Sequence, residues 1–160
     1  PGRTTCFDDP IMGSFMNGWM GLKIALSTHG PIDLLTIMLG TNDCKALFGN
    51  SARDILGGIS GLLAISQSTD LQSRHRGYKT LLIAPPPIVV TGIFSASFYG
   101  ADHLSEELGD LYSEIATQWG IEFFDAGDVI ATSPVDGVHF EKEAHQTLGT
   151  ALAKKITTIM

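Results

Sequence analysis

Three short apolar runs stand out along the chain, and each has the length of a β-strand. They are DLLTIML (33–39), KTLLIA (79–84) and IEFFDA (121–126). The first is almost continuously apolar, which is typical of a parallel strand that is buried on both faces. The second ends at three consecutive prolines, which cannot continue a hydrogen-bonded ladder. The three runs therefore predict the strands of a parallel sheet.

Longer amphipathic stretches separate these runs and predict helices over residues of about 17–29, 51–69, 104–119 and 141–160. Ser51 is a suitable N-cap for the second, and Asp54 then lies in its first turn, where a carboxylate complements the helix dipole. Ser105 is the predicted cap of the third helix, and Gly120 is its predicted stop. Strands that alternate with helices indicate βαβ units, and hence one α/β domain over residues 1–160.

The composition fits a packed domain and argues against some classes of partner. Of the 160 residues, 44% are hydrophobic and 17% are charged, as in globular proteins. The net charge of −7 disfavours binding to nucleic acid or to an anionic membrane. A short basic cluster is interpreted as a solvated loop, and it consists of Arg74, His75, Arg76 and Lys79. No apolar run is long enough for a membrane-spanning helix, so we expect no membrane insertion.

Two cysteines, Cys6 and Cys44, are too few for a disulfide scaffold, so the core must provide the stability. Cys44 is interpreted as a small buried residue, because a reactive thiolate needs a cationic neighbour. No signal-peptide pattern follows Pro1. A cytoplasmic location is favoured, and the possibility of a targeting segment upstream of Pro1 stays open because the chain does not begin with methionine.

Neither the histidines nor the glycines form a recognisable ligand-binding pattern. The spacing of His29, His75, His103 and His145 does not match a metal site, so we expect no metal and no cofactor. Three glycines lie inside the second predicted helix and do not follow a strand as a phosphate-binding loop would. Gly57, Gly58 and Gly61 are therefore interpreted as sites of close helix packing.

Candidate chemistry follows the strands, because sites in parallel sheets lie at the carboxyl ends of strands. GTNDCK (40–45) comes after the first strand, and the amide of Asn42 could donate a hydrogen bond to a developing oxyanion. VDGVHF (135–140) comes after the third strand. There Asp136 could orient His139, which would then accept a proton from a nucleophile. Each stretch alone also fits an ordinary turn.

Taken together, these stretches resemble the SGNH (GDSL-type) serine hydrolase family. The resemblance rests on GRTT and DDP near the start, Gly-Thr-Asn-Asp after a buried strand, and Asp-Gly-Val-His before the last helix. It covers essentially the whole chain and is nearest to the bacterial arylesterase and acyltransferase members. It implies a three-layer α/β/α, flavodoxin-like fold. By this resemblance Asn42 and the backbone N–H of Gly2 form the oxyanion hole, and Asp136 and His139 are the acid and base of a triad.

One part of the family pattern is missing, namely the Gly-Asp-Ser motif that holds the nucleophile. Ser14 lies in the loop after DDP, Ser60 lies within a predicted helix, and Ser133 is too close to the acid. A helix interior is a poor platform for an exposed nucleophile. We therefore expect the nucleophilic serine, and the N-terminal strands of the sheet, to precede Pro1. Residues 1–160 would then be the C-terminal part of an SGNH-hydrolase-like domain.

The resemblance implies a serine esterase that hydrolyses small acyl or aryl esters through an acyl-enzyme. Two alternatives stay open: an acyltransferase of the same family, and a non-catalytic binding domain that has lost its nucleophile. The long apolar segment 85–103 could line an acyl pocket, form a subunit contact or cover the core. A sheet without its first strands would expose an apolar edge. A homo-oligomer or a complementing N-terminal fragment is therefore a possible partner beside the ester substrate.

Overall fold

The sheet predicted from the three apolar runs is present, and its strands are parallel in the order β1-β2-β3. The computed structural model describes residues 2–160. In this part of the chain the strands are β1 (Leu34–Ile37), β2 (Lys79–Ala84) and β3 (Glu122–Asp125). The prediction of β2 is correct to the residue, whereas β1 and β3 are shorter than the apolar runs that predicted them.

Six α-helices surround this sheet within residues 2–160. They are α1 (Gly18–Thr28), α2 (Ala52–Ser66), α3 (Thr69–Arg74), α4 (Ala101–Glu106), α5 (Leu108–Trp119) and α6 (Lys142–Ile159). The predicted third helix is split into α4 and α5. The predicted second helix ends three residues early, at Ser66, and α3 is a further helix that was not predicted. The first and last helices are confirmed to within one or two residues. None of the helices among the described residues is long and apolar enough to cross a membrane.

The helix boundaries confirm two of the predicted capping residues and overturn one. The Ser51 hydroxyl accepts the N–H of Asp54, whose carboxylate accepts the N–H of Ser51, so α2 begins with a complete capping box. Gly120 ends α5 in the left-handed conformation, at φ 64°. The prediction for Ser105 is wrong, because this residue is buried inside α4. There its hydroxyl accepts the N–H of Ile88 at 2.8 Å.

The central strand β2 contributes to a hydrophobic core on each side of the sheet. Successive side chains of a strand point to opposite faces. Leu82 and Ala84 therefore pack with α2 and α5, and Leu81 and Ile83 pack with α6. Helices thus cover both faces of the sheet, which confirms the predicted three-layer α/β/α, flavodoxin-like fold.

The prediction that β1 is buried on both faces is wrong. Thr36 is exposed, and Met38, just beyond the strand, is 37% exposed. These side chains are exposed because β1 is an edge strand, and no other strand within residues 2–160 pairs with its outer side. A groove of about 340 Å³ runs there between β1 and α1. Its lining is largely apolar and includes Leu22, Ala25, Leu35 and Leu39.

The sequence suggested that the whole basic cluster is a solvated loop, and this is wrong for part of it. His75 is only 2% exposed, and its Nε2 lies 2.8 Å from the carbonyl oxygen of Leu26. The Arg74 guanidinium donates to the carbonyls of Leu26 and Ser27. These two side chains satisfy carbonyls that the end of α1 leaves unpaired, and they fasten α1 to the end of α3. Of the cluster only His75 is buried, whereas Arg74, Arg76 and Lys79 lie exposed.

Two of the three helical glycines serve close packing. A Cβ on Gly58 would lie 2.0 Å from the hydroxyl oxygen of Thr5, and one on Gly61 would lie 2.1 Å from the indole of Trp19. A Cβ on Gly57 would meet no atom within 4 Å, so the packing interpretation is wrong at that position.

The free edge of β1 predicts that residues 1–160 alone self-associate, because an unpaired apolar edge templates further strand pairing. Met38→Lys should shift the sedimentation profile towards monomer, because a lysine ammonium resists burial in a strand–strand contact. Thr150→Lys is the matched control. It adds the same charge to the exposed surface of α6 and should leave the profile unchanged. A wild-type chain that sediments as a monomer at all concentrations would contradict this prediction.

Candidate active site

The predicted acid and base, Asp136 and His139, form a hydrogen-bonded pair in the turn before α6. One carboxylate oxygen of Asp136 accepts the backbone N–H groups of Val138 and His139, each at 2.9 Å. The other lies 2.8 Å from Nδ1 of His139. An ionised carboxylate can only accept, so Nδ1 carries the hydrogen and Nε2 is left with a free lone pair. The imidazole is therefore oriented as a general base.

Asp136 stays charged under all ordinary conditions. The backbone N–H of His139, the N–H of Val138 and the imidazole together lower the pKa of Asp136 to about 2. A fixed negative charge at this position can stabilise the imidazolium that forms when His139 takes up a proton.

The turn that holds this pair is packed tightly against the loop after β2. Gly137 has a φ of 71°, and a Cβ there would lie 1.6 Å from the carbonyl oxygen of Val89. The carbonyl of Gly137 accepts the N–H of Val89 at 3.0 Å. No other residue type fits this position, because both the backbone conformation and the space require glycine.

Two supports of the turn were not predicted from the sequence. The Ser133 hydroxyl donates to the carboxylate of Glu141, and the Ser133 N–H donates to the carbonyl of His139 at 2.7 Å. A serine before Pro134 is typical of turns. The partner at Glu141 has no sequence signature, because the contact depends on how the chain re-enters α6.

Asn42 lies in a 3-10 turn, Thr41–Cys44, directly after β1. Its Nδ2 donates to the carbonyl of Arg3 at 3.2 Å. A side-chain amide has two N–H groups, so one is left to donate to another oxygen. The bond to Arg3 also places Asn42 beside Gly2, which has a φ of 84°. The two predicted oxyanion donors therefore lie on adjoining segments.

Asp43 and Cys44, which follow Asn42, are both buried. Burial raises the pKa of Asp43 to about 6, against the opposing effect of hydrogen bonds from the hydroxyl and N–H of Thr5. Burial, and then the charge of Asp43, raise the pKa of the Cys44 thiol to about 12. Cys44 is 2% exposed, which confirms the interpretation of a small buried residue.

A cavity of about 390 Å³ brings the candidate residues together. Gly2, Asn42 and His139 all line it, and Asp136 is hydrogen-bonded to Nδ1 of His139. The rest of the wall is mostly apolar and consists of Ile11, Met12, Leu47, Phe94, Ser97, Phe98 and Val138, with Asp9 and Lys45 as a charged pair. Since three of these residues come from the apolar segment 85–103, its interpretation as a pocket wall is supported.

Asp9 and Lys45, the charged pair in the wall, form an ion pair, and Asp9 also accepts hydrogen bonds from the backbone. Nζ of Lys45 lies 3.2 Å from one oxygen of Asp9, whose other oxygen accepts the N–H groups of Ile11 and Met12 at 2.9 Å. These N–H groups, first that of Met12, and then Lys45 lower the pKa of Asp9. Among the described residues, no group of three or more His, Cys, Asp or Glu side chains is arranged to hold a metal ion.

None of the serines considered from the sequence is placed as a nucleophile. Ser14 is exposed in a short 3-10 turn, Ser60 lies in the middle of α2, and Ser133 is bound to Glu141. Ser97 was not considered, yet it lines the cavity. Across residues 2–160, no hydrogen bond joins a serine hydroxyl to His139. Among the described residues, the predicted base, its predicted acid and the predicted oxyanion donors therefore lie together without a serine paired to His139.

Solved structures of esterases resemble this chain over almost its whole length. The native aryl esterase of M. smegmatis is 38% identical with a TM-score of 0.91, over 99% of this chain and 75% of that one. A carbohydrate acetylesterase from Sinorhizobium meliloti is 37% identical with the same TM-score and coverage. A GDSL-like lipase from Bacteroides thetaiotaomicron, 17% identical with a TM-score of 0.72 over 99% of this chain and 73% of that one, shares the fold. No protein-family model and no curated protein sequence matches the chain.

The raised pKa of Asp43 predicts a specific dependence of stability on pH. Because the folded pKa lies above the unfolded one, the folded state holds an extra proton between about pH 4 and pH 6. The stability that Asp43 contributes is therefore complete below this window and is lost as the pH rises through it. The free energy of unfolding of wild type minus that of Asp43→Asn should fall by about 3 kcal/mol across the window. Urea unfolding at several pH values measures this difference, and a flat difference would contradict the assignment.

Proposed function

The chain belongs to the SGNH (GDSL-type) hydrolase family, and on that premise we propose that it is a serine esterase that hydrolyses small acyl or aryl esters through an acyl-enzyme. It is a carboxylic ester hydrolase of the type that this family comprises. The observation that supports the proposal is the convergence of His139, Asn42 and Gly2 on one largely apolar cavity. A base and two oxyanion donors around one space are what acyl transfer requires.

In the proposed reaction, Nε2 of His139 removes the proton from a serine hydroxyl as the serine oxygen attacks the ester carbonyl carbon. The carbonyl oxygen becomes an oxyanion and accepts hydrogen bonds from Nδ2 of Asn42 and the N–H of Gly2. Asp136 stabilises the imidazolium during this step. His139 then donates the proton to the leaving alkoxide, which leaves an acyl-enzyme. Water, deprotonated by His139, then attacks the acyl carbon. The bond between this carbon and the serine oxygen breaks, the carboxylic acid leaves, and His139 returns the proton to the serine oxygen.

We place the nucleophilic serine outside residues 1–160. Two observations support this placement. Across the described residues, His139 has no serine partner, and about a quarter of the M. smegmatis aryl esterase has no counterpart in the matched region. Ser97 is the rival within the chain because it lines the cavity.

An acyltransferase of the same family is the second candidate, and the cavity wall favours it over plain hydrolysis in one respect. The wall is largely apolar, with Phe94, Phe98 and Val138 beside His139. Ile11 of the same wall is 82% exposed, and Ile93, which precedes Phe94 in the chain, is 85% exposed. Such a surface holds the organic part of an alcohol better than it holds water, so an alcohol could intercept the acyl-enzyme.

Loss of the base or of the oxyanion amide should abolish most of the activity. In the protein expressed with the residues encoded upstream of Pro1, Asn42→Ala should lower kcat on a short-chain aryl ester by about 10²–10³-fold. His139→Ala should be at least as damaging, because it removes the base. His103→Ala is the matched control, since that imidazole is exposed on α4 and touches none of the cavity. Near-normal turnover in His139→Ala would refute the assignment.

Covalent labelling should locate the nucleophile. Residues 1–160 alone should take up no stoichiometric label from an organophosphonate ester, whereas the protein with its upstream residues should take up one. The reason is that phosphonylation needs a serine activated by the base. Intact-mass analysis measures both. A label on residues 1–160 that disappears in Ser97→Ala would identify Ser97 as the nucleophile and contradict the proposed placement.

A further inference from the structure

A fully buried contact between Thr5 and Asp43 joins the two segments that carry the oxyanion donors. Both residues are 0% exposed. The Thr5 N–H donates to the two carboxylate oxygens of Asp43 at 2.9 and 3.1 Å, and the Thr5 hydroxyl donates to one of them at 2.5 Å. Bonds to an ionised acceptor, away from water, are among the strongest that a protein makes.

The Thr5 side of this contact has no room to move. A Cβ on Gly58 would lie 2.0 Å from the Thr5 hydroxyl, and one on Gly18 would lie 2.4 Å from the carbonyl oxygen of Thr4. The segment is thus wedged between α2 and the start of α1. The N–H of Thr4 adds a bond to the carbonyl of Met16 at 3.0 Å. Asp43 is held in turn, because its carbonyl accepts Nδ2 of Asn50 at 2.9 Å.

Asp43 follows Asn42 in the chain, and Thr5 lies three residues after Gly2, so this contact joins the segments that carry the two donors. Between residues 2–7 and 40–45, the remaining hydrogen bond is the exposed one from Asn42 to Arg3. An exposed bond of that kind exchanges readily with water. Neither Thr5 nor Asp43 lines the cavity, so neither touches a substrate there.

We propose that Thr5 and Asp43 are positioning residues, whose buried contact holds Nδ2 of Asn42 and the N–H of Gly2 at the separation that an oxyanion requires. The inference rests on the proposed function. Displacement of a catalytic group by about 1 Å can cost about 10²-fold in rate, so loss of the contact should reduce kcat without removing any donor.

The first test measures kcat and KM for Thr5→Val and Asp43→Asn in the protein with its upstream residues. Rates are referred to active sites titrated with the organophosphonate and are taken well below the unfolding temperature. Thr5→Val keeps the shape but removes the hydroxyl, and Asp43→Asn replaces an acceptor oxygen by a donor. We expect kcat to fall by about 10- to 100-fold with KM within about twofold, because the donors act in the transition state. Thr5→Ser, which restores the hydroxyl, should recover most of kcat.

The second test needs no esterase activity. The side-chain amide signals of Asn42 are followed by NMR, with Asn42→Asp used to assign them. Thr5→Val should move these signals, and Thr5→Ser should return them towards the wild-type position, if the contact sets the amide. Should wild type prove inactive while the signals still respond in this way, the proposed function fails and the positioning role stands. The role is overturned if the variants lower the unfolding temperature but leave either the amide signals or kcat per titrated site unchanged.

Discussion

Two parallel backbone ladders on β2 are the constraint on which the rest of the structure depends. Strands β1 and β3 both pair in parallel with β2, one on each side, so the carboxyl ends of all three strands lie at the same end of the sheet. The turn that carries Asn42 follows β1 at this carboxyl end, and the segment that leads to His139 follows β3 there. Distant parts of the sequence thus face one cavity. The buried run from Thr80 to Ala84 supports this arrangement, because its alternate side chains build both cores.

Three aspartates then shape the loops by the same chemistry, in which a carboxylate accepts backbone N–H groups. Asp9 and Asp136 each hold two N–H groups of a tight turn, and Asp43 holds that of Thr5. Their surroundings separate their pKa values. Backbone hydrogen bonds dominate for Asp9 and Asp136 and lower the pKa, whereas burial dominates for Asp43 and raises it. The site therefore has two turns whose carboxyl pKa is lowered and one buried carboxyl whose pKa is raised to about 6.

The sequence predicts what is local or periodic, and fails where a distant group decides. Strand β2, the capping box at Ser51 and the pairing of Asp136 with His139 depend on neighbours within a few residues, so their patterns are visible in one stretch. The burial of His75 depends on the end of α1. The role of Ser105 depends on an N–H in the loop after β2. Neither dependence leaves a mark in the local sequence, and the same holds for the Thr5–Asp43 contact, which spans 38 residues.

Residues 2–160 bring the candidate site together without a serine paired to His139. The proposed acid and base are held within one turn, and the proposed oxyanion donors are held by contacts among residues 2–160. Their orientation is therefore set by folding, and the reaction itself need not reorganise them. A nucleophile has only to deliver one oxygen within reach of Nε2 of His139. Any strand that paired in parallel with the free edge of β1 would end beside the turn that carries Asn42, because the carboxyl ends of parallel strands lie at the same end of the sheet. A strand added at the free edge of β1 would therefore end on the side of the sheet where His139 lies.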